Sequence, residues 1–414
     1  MKNILSLGAA LLAAMLLGSC GGSDLDSGTP GPNQAAAIVA VPGLSATANF
    51  SFDLGTVVNG KYYLTDRNNK AVDVVDVSSL QITQIIPTGA LAFAGVSPLG
   101  NGNSGPDGIN FISTMGQLYV GDVDSVKVID IASGIVTRSI RVGTTGFRAD
   151  EGCFDPVHNL YMISSPDADT PFASFISTTT GTVVATVRWI DTDGNPAGGN
   201  EQCQYDHGTQ SFLVNNDNTI ANPHGEVDVI PVASIQALPP GTTTNFLSVT
   251  GLKRFPLGAC DPTGMDLGPG LEVAVMCRPG DAGSPLVTLI LNRTTGATVA
   301  TVAFGGGDQI AYDARTNRYY LSGNRWRPTG VNVSGGGCTA AAPCTPTLAI
   351  VDASSHAIVT MIPTGNNAHS VAVDPVRGEI FMPHSSAGSP AGCATCAANG
   401  FTTPGIAVFF SPGM

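Results

Sequence analysis

The chain has 414 residues, 43% of them hydrophobic and only 12% charged, and it contains 51 glycines and 28 prolines. This composition is typical of a large, turn-rich all-β protein and argues against a helical one. The formal net charge of −13 argues against binding to nucleic acid or to anionic lipid headgroups, because both present dense negative charge.

The N-terminal segment has the features of an export signal. Lys2 supplies a short positive region, and residues 4–17 form an apolar run that is too short for a transmembrane helix. The run ends in the tetrapeptide LGSC, whose last residue is Cys20. This tetrapeptide resembles the lipobox of bacterial lipoproteins, in which cleavage precedes a cysteine that becomes acylated. An ordinary secretory signal with a chance cysteine is the alternative.

We therefore expect a lipoprotein signal peptide over residues 1–19, then lipidated Cys20 and a flexible tether rich in Gly, Ser, Asp and Pro to residue 35. Removal of residues 1–19 takes away one lysine and no acid, which leaves a net charge of −14. Gly21 follows the cysteine where an aspartate would favour the inner membrane. By analogy with lipoproteins, this predicts the outer membrane of a Gram-negative cell, on its periplasmic face or at the cell surface. The only predicted membrane contact is the lipid.

From residue 36 onward the chain repeats one pattern seven times, at a period of about 45 residues, which lies in the range of propeller blades. The first unit reads VVNGKYYLTDRNNKAVDVVDVSSLQITQIIPTG, and the seventh reads VAVDPVRGEIFMPHS and, after a long loop, GIAVFF. Each unit supplies short apolar strands separated by turns such as DPVH or DPVR and TTTG or ASSH. Such a pattern predicts four-stranded antiparallel sheets that bury their faces by stacking around an axis.

The seventh unit ends after its third strand, and the apolar segment at residues 36–41 is expected to complete it. Closure of the ring by the N-terminus would remove the exposed sheet edges that promote aggregation. The sequence thus predicts an all-β fold: a seven-bladed β-propeller of four-stranded antiparallel blades, closed by an N-terminal strand. It occupies residues 36–414 as a single domain and is expected to be a monomer.

The repeats YLTDRNNKAVDVVDVSSLQITQIIPTG and LAIVDASSHAIVTMIPTGNNAHSVAVDP resemble the YVTN-type repeats of bacterial surface-layer and periplasmic propellers. The resemblance covers roughly residues 36–410 and implies the propeller fold. Units four, five and six depart from it through long Gly- and Pro-rich insertions. Because propellers support many functions, the resemblance implies no particular activity.

Eight cysteines remain when Cys20 is set aside, and an even number in an exported chain predicts disulfides. Other pairings remain open, but local loop closure and a link between repeats favour Cys260–Cys277, Cys338–Cys344, Cys393–Cys396 and Cys153–Cys203. A redox or zinc role for the CxxC spacing of the third pair is disfavoured, because no helix pattern follows it and no second ligand pair lies nearby.

Polar residues recur at the position where each unit enters its innermost strand, which in a propeller faces one mouth of the central channel. In a chain with few charges, this recurrence predicts an acidic ring with one imidazole. Its expected ligand-binding members are Asp53, Asp107, Glu151, Glu201, Gln202, Asp308, Gln309 and His369. The alternative is that these side chains hydrogen-bond to neighbouring backbone and fasten the blades together.

Two functions compete on this evidence. The first is a lipid-anchored propeller that binds a small molecule, a metal or a protein partner at the channel mouth, with no turnover. The second is a metal-dependent hydrolase or lyase, because lactonase-type propellers are similar in placing a cation on acidic side chains here. Glu151, Asp308 and His369 are then the expected ligands of Ca²⁺, Mg²⁺ or Zn²⁺, and His369 or Glu151 the expected catalytic base.

Overall fold

The computed structural model describes residues 34–86, 91–333, 337–389 and 392–411. The predicted signal peptide, the lipidation site at Cys20 and nearly all of the tether lie outside the described residues, so these remain predictions.

The strands of the described chain fall into seven antiparallel sheets of four, to one of which a fifth strand is added. The N-terminal strand is β1 (Ala37–Val39), and blade one contains β2 (Phe52–Val58), β3 (Lys61–Asp66), β4 (Ala71–Asp76) and β5 (Gln81–Ile86). Blade two contains β6 (Ile109–Ile112), β7 (Gln117–Asp122), β8 (Ser125–Asp130) and β9 (Ile135–Arg141). Blade three contains β10 (Gly152–Asp155), β11 (Leu160–Ser165), β12 (Phe172–Ser177) and β13 (Thr182–Arg188).

Blades four to seven repeat the arrangement. Blade four contains β14 (Asn200–Asp206), β15 (Ser211–Asn216), β16 (Glu226–Pro231) and, after an insertion with α1 (Val232–Gln236) and β17 (Thr242–Asn245), β18 (Lys253–Pro256). Blade five contains β19 (Pro262–Leu267), β20 (Glu272–Cys277), β21 (Thr288–Asn292) and β22 (Thr298–Val302). Blade six contains β23 (Ile310–Asp313), β24 (Arg318–Gly323), β25 (Thr347–Asp352) and β26 (Ile358–Pro363). Blade seven contains β27 (Ala372–Val373), β28 (Glu379–His384) and, after α2 (Ala394–Ala398), β29 (Gly405–Phe410).

Aspartates at the ends of strands explain why the turns form where the sequence predicts them. At the end of β4, one carboxylate oxygen of Asp76 accepts hydrogen bonds from the backbone N–H groups of Ser78 (3.1 Å) and Ser79 (2.9 Å). At the end of β10, Asp155 likewise accepts from the N–H of Val157 at 2.8 Å. These local bonds satisfy the backbone where the ladder ends and fix the chain reversal.

The seven sheets close into a ring. The innermost strands of successive blades contact one another in chain order, and β27 of the last blade returns to contact β2 of the first. The outermost place in blade seven is taken by β1, which pairs antiparallel with β29 and sets Ala37 opposite Val408 and Val39 opposite Ile406. The predicted seven-bladed propeller with N-terminal closure is therefore confirmed.

The insertion of unit four gives the one sheet that exceeds four strands in the described chain. Its strand β17 runs parallel to β13 and extends blade three to five strands. Phe246, directly after β17, is buried and stacks on Trp189 with ring centroids 5.8 Å apart. No local pattern predicts this pairing, because it joins segments from two different units.

Four disulfides are present, and they are the four that the sequence favours: Cys153–Cys203, Cys260–Cys277, Cys338–Cys344 and Cys393–Cys396. The first joins the innermost strands of blades three and four, and the others close short loops. Disulfides of this number fit an exported protein, because they persist in oxidising compartments. No helix in the described part of the chain has the length and apolar character of a membrane span.

Candidate functional site

One end of the central channel opens into a cavity of about 420 Å³, here called the mouth cavity. It is built from the loops that lead into each innermost strand and the loops that follow each second strand, which lie on the same face of the ring. All seven blades contribute to its lining, which consists of Asn49, Phe50, Ser51, Phe52, Asp53, Arg67, Asn101, Arg148, Asp150, Glu151, Glu201, Arg278, Asp308, Asn324, Arg325, Asn367 and His369.

Five of the eight residues predicted to bind a ligand line this cavity together: Asp53, Glu151, Glu201, Asp308 and His369. They are separated by up to several hundred residues in the chain, and only the ring brings them to one place. These side chains therefore surround one cavity, as expected from their recurrence at the same position of each repeat.

The other three predicted residues hold the ring together. Gln309 accepts hydrogen bonds from the Ser370 hydroxyl (2.7 Å) and the Val371 N–H (2.9 Å), so it ties blade six to blade seven. Gln202 accepts from the N–H of Met265 at 2.8 Å and ties blade four to blade five. Asp107 is fully buried behind the cavity. For these three residues the structure supports the alternative reading, in which polar groups at blade entrances fasten neighbouring blades.

Four arginines also line the mouth cavity, so the predicted acidic ring is a ring of mixed charge. Arg67 and Arg278 directly follow the second strand of their blades, and Arg325 follows it after one intervening residue. Arg148 lies two residues before Asp150 on the way into β10. The sequence signal for three of these arginines is a charged residue that follows the second strand of a unit.

Two of these arginines form buried ion pairs with the acids. Arg67 contacts Asp53 through Nη2 at 3.0 Å, donates to Asp107 through Nε at 3.1 Å, and donates to the carbonyl of Phe52 at 3.1 Å. Arg148 contacts Asp150 at 2.8 Å and the half-exposed Asp167 at 2.6 Å. These bonds join blades one, two and three at the mouth.

Three acids of the mouth form a close group, here called the carboxylate cluster: Asp53, Asp150 and Glu151. One ligand atom from each lies within 4.8 Å of the others, and no second group of this kind occurs among the described residues. Of the three predicted metal ligands, only Glu151 belongs to it. Asp308 and His369 line the same cavity outside the cluster.

His369 lies beside the cluster in a fixed orientation. Its ring stacks on Phe52 with centroids 4.5 Å apart, and its Nδ1 lies 2.8 Å from the carbonyl oxygen of Asn367. The carbonyl can only accept, so Nδ1 carries the hydrogen and Nε2 faces the mouth. Nε2 lies 3.9 Å from Oδ1 of Asp53.

Burial and charge shift the pKa values of the cluster in opposite directions. Burial raises the pKa of Asp53, but Arg67, His369 and Arg148 outweigh it and bring the pKa to about 2. Burial raises the pKa of Glu151 well above its usual range, and Asp308, Asp150 and Asp53 raise it further. Burial also raises the pKa of Asp150, against the opposing effect of Arg148. Burial and mutual repulsion therefore disfavour the fully ionised form of the cluster.

The remaining two arginines, here called the arginine pair, lie on blades five and six. Among the described residues, the side chains of Arg278 and Arg325 have no hydrogen-bond acceptor and no ion-pair partner. The pKa of Arg325 is lowered to about 10, first by burial and then by the charge of Arg278. Two guanidinium groups thus line one cavity without a direct ion pair in the described chain.

Comparisons with known proteins identify the fold. No protein-family model matches the chain, and no curated protein matches it in sequence. Among solved structures, hydrazine synthase of Kuenenia stuttgartiensis is similar with a TM-score of 0.59 and 14% identity, over 90% of this chain and 99% of that one. A chain of a mitotic checkpoint complex is similar with a TM-score of 0.58 and 12% identity, over 98% and 100%. At such low identity these likenesses show the propeller fold and no activity.

Proposed function

We propose that this chain is an exported, lipid-anchored β-propeller that binds a small anionic molecule in the mouth cavity, without turnover, and acts as a monomer. The observation that carries the proposal is the arginine pair, Arg278 and Arg325, which lines the cavity without acceptors in the described chain. A guanidinium group presents planar paired donors that match a carboxylate or a phosphate.

The cavity suits a small molecule in size and chemistry. Its volume of about 420 Å³ lies in the range of about 300–1,000 Å³ that small-molecule sites occupy. Glu201 and Asp308 line the same cavity. The ligand class that fits is therefore a small carboxylate or phosphate that also carries hydrogen-bond donors for these acids.

Export and anchoring are supported by the sequence and the disulfides. The tetrapeptide LGSC ends an apolar run of signal-peptide length, and eight cysteines form four pairs. Cells grown with an alkyne-bearing fatty acid should label the native chain in the membrane fraction and not the Cys20→Ser variant. Equal labelling of both chains, or recovery of the native chain without lipid, would overturn the anchor.

The ligand site can be tested with defined anions. Purified protein should show a rise in melting temperature with at least one of citrate, succinate, glutamate and inorganic phosphate, because binding to the folded state stabilises it. The rise should disappear in Arg278→Gln and in Arg325→Gln. Arg188→Gln is the matched control, since it removes the same charge from an exposed position on β13. No rise with any anion, together with no co-purifying small molecule in native mass spectra, would refute the proposal.

A metal-dependent hydrolase is the second candidate, because His369 presents Nε2 to the mouth 3.9 Å from Asp53, a member of the carboxylate cluster. A cation on these acids would polarise a carbonyl and acidify a bound water, with His369 or Glu151 as the base. Hydrolysis of simple lactones and of 4-nitrophenyl acetate should be measured with Ca²⁺, Mg²⁺ and Zn²⁺. Turnover that is lost in His369→Gln and kept in Arg188→Gln would establish this candidate, and its absence under all three cations would exclude it for these substrates.

A further inference from the structure

Each acid of the carboxylate cluster keeps one oxygen without a hydrogen-bond partner. These oxygens are Oδ2 of Asp53, Oδ1 of Asp150 and Oε2 of Glu151, and all three are buried. The residues themselves are only 4%, 2% and 4% exposed. A buried polar atom without a partner is costly, so three of them at one place call for an occupant.

The arginines of the mouth hold the other oxygens of two of these acids. Arg67 contacts Oδ1 of Asp53 at 3.0 Å, and Arg148 contacts Oδ2 of Asp150 at 2.8 Å. Each carboxylate therefore has one oxygen in an ion pair and one that is free. These contacts fix the rotation of the two carboxylates, as hydrogen-bonding partners do for carboxylates that bind metals.

The spacing of the cluster fits one ion. One oxygen of each acid lies within 4.8 Å of the others. Oxygen ligands lie about 2.0–2.1 Å from Mg²⁺ and about 2.3–2.6 Å from Ca²⁺, so two ligands of one ion are at most about 4 Å apart on Mg²⁺ and about 5 Å apart on Ca²⁺. The three acids can therefore reach a single ion between them, and the cavity side remains open for water.

The net charge around the cluster also fits a divalent cation. The two guanidinium groups of Arg67 and Arg148 are shared by five carboxylates, those of Asp53, Asp107, Asp150, Glu151 and Asp167. With all groups ionised, three negative charges are left over, and a divalent cation neutralises two of them. Uncompensated buried charge is otherwise strongly unfavourable.

We propose that Asp53, Asp150 and Glu151 bind one hard divalent cation, Ca²⁺ or Mg²⁺, through oxygen ligands. A purely carboxylate set favours these ions over Zn²⁺, for which nitrogen and sulfur donors are the usual partners. This site does not require the organic anion of the proposed function, since it uses other side chains than the arginine pair. Asp308 and His369, which the sequence suggested as ligands, take no part in it.

The test is calorimetric titration of chelator-treated protein with CaCl₂, MgCl₂ and ZnCl₂, together with melting temperatures under each salt. The expected result is one ion per chain, either Ca²⁺ or Mg²⁺, and a rise in melting temperature. The two salts, titrated separately, decide which ion is preferred. No binding of either ion to the folded protein would overturn the proposal.

Glu151→Gln gives the sharpest variant, because it removes one charge and one free oxygen from the cluster. Without cation its melting temperature should exceed that of the native chain, since repulsion among the acids is relieved. With cation the native chain should gain stability and Glu151→Gln should not, with affinity lowered at least roughly tenfold. The conservative change of Asp150→Asn serves the same purpose if the first variant fails to fold.

Two further variants separate this site from its neighbours. Asp308→Asn should keep cation binding, and a loss there as large as in Glu151→Gln would show that the ligands were wrongly assigned. Arg325→Gln should also keep cation binding, even if it abolishes the response to organic anions. Unchanged cation affinity in both Glu151→Gln and Asp150→Asn would refute the site while leaving the proposed anion site untouched.

Discussion

Arg67 shows how one buried side chain can determine the shape of the mouth. It is 2% exposed, follows β3 of blade one, and contacts Asp53 of its own blade and Asp107 at the entrance to blade two. Its Nη1 also donates to the carbonyl of Phe52 at 3.1 Å. One guanidinium thus binds two buried acids and joins two blades, which a lysine cannot do, because its ammonium group lacks the planar set of donors.

Replacement of Arg67 by methionine should therefore destabilise the protein strongly. It leaves Asp53 and Asp107 buried without their main partner, and loss of one side of a buried ion pair costs about 3–5 kcal/mol. Urea unfolding of Arg67→Met should show this loss, whereas Arg188→Met, at an exposed position, should change stability by less than about 0.5 kcal/mol. A loss below about 1 kcal/mol in Arg67→Met would mean that water replaces the arginine at the mouth.

Asp73 is a buried acid of blade one that has no arginine beside it. It lies on β4 opposite Leu64, is fully buried, and neither of its oxygens receives a hydrogen bond from the described residues. Burial, and after it the neighbouring Asp66, raises the pKa of Asp73 from 3.8 to about 8. The folded state therefore holds a proton that the unfolded chain releases near pH 4.

The raised pKa of Asp73 determines how the stability of the folded state changes with pH. Between about pH 4 and 8 the folded state binds more protons at Asp73 than the unfolded state does, so its contribution to stability is lost as pH rises. Asp73→Asn, which mimics the protonated acid, should match the native chain near pH 4 and exceed it by several kcal/mol at pH 8. Denaturation at both values measures this difference, with exposed Asp169→Asn as control. A difference that does not grow with pH would show that Asp73 is ionised in the folded protein.

At the scale of single elements, glycines allow the blades to approach one another. Gly264 on β19 faces the backbone of blade six, where a Cβ atom would lie 1.7 Å from the carbonyl oxygen of Asp308. Within blade six, directly before Asp308, a Cβ at Gly307 would lie 1.6 Å from the carbonyl oxygen of Ser322. Because these neighbours are backbone atoms, no side chain can rotate away to relieve the contact.

Gly264→Ala should thus force blades five and six apart. Overpacking of this kind costs about 1–3 kcal/mol, and it also displaces Asp308, which lines the mouth. We expect a lower melting temperature and a weaker response to organic anions. Gly388→Ala is the matched control, since a Cβ there meets nothing within 4 Å. An unchanged melting temperature in Gly264→Ala would show that the joint is looser than these distances indicate.

The secondary-structure elements differ in how well local sequence patterns predict them. Strands and turns are encoded locally, by apolar alternation and by aspartates such as Asp76 and Asp155, so the seven blades were predictable from one repeated pattern. The partners of Arg67 or Arg278 depend on which blades are adjacent and on side-chain directions, which no local pattern records. For the same reason no local pattern predicts β17. This strand pairs with a strand about 57 residues earlier, in a different unit.

At the scale of the whole molecule, the ring places side chains from all seven blades around one cavity, and its closure depends on a three-residue strand. Residues Ala37–Val39 supply the outer strand of blade seven, and the N–H of Ala36 donates to the carbonyl of Val408 at 2.8 Å. Val39 is buried in the cluster that contains Phe50 and Phe52. The N-terminus therefore supports both the last blade and the strand that carries Asp53.

A chain that begins at residue 42 should reveal what this closure contributes. It loses β1, exposes the outer edge of β29, and leaves the apolar cluster at the joint of blades seven and one open to water. An unpaired strand edge is a template for association, so we expect a lower melting temperature and concentration-dependent oligomers in light scattering, compared with a chain that begins at residue 34.

A synthetic peptide of residues 34–41 should reverse both effects, because it restores the backbone hydrogen bonds to Val408 and returns Val39 to its buried place. The same peptide with proline in place of Val39 should fail, since proline lacks the N–H and fits poorly within a paired strand. If the shortened chain melts at the same temperature and stays monomeric without peptide, blade seven is stable with three strands, and the closing strand has another purpose than to protect the edge of β29.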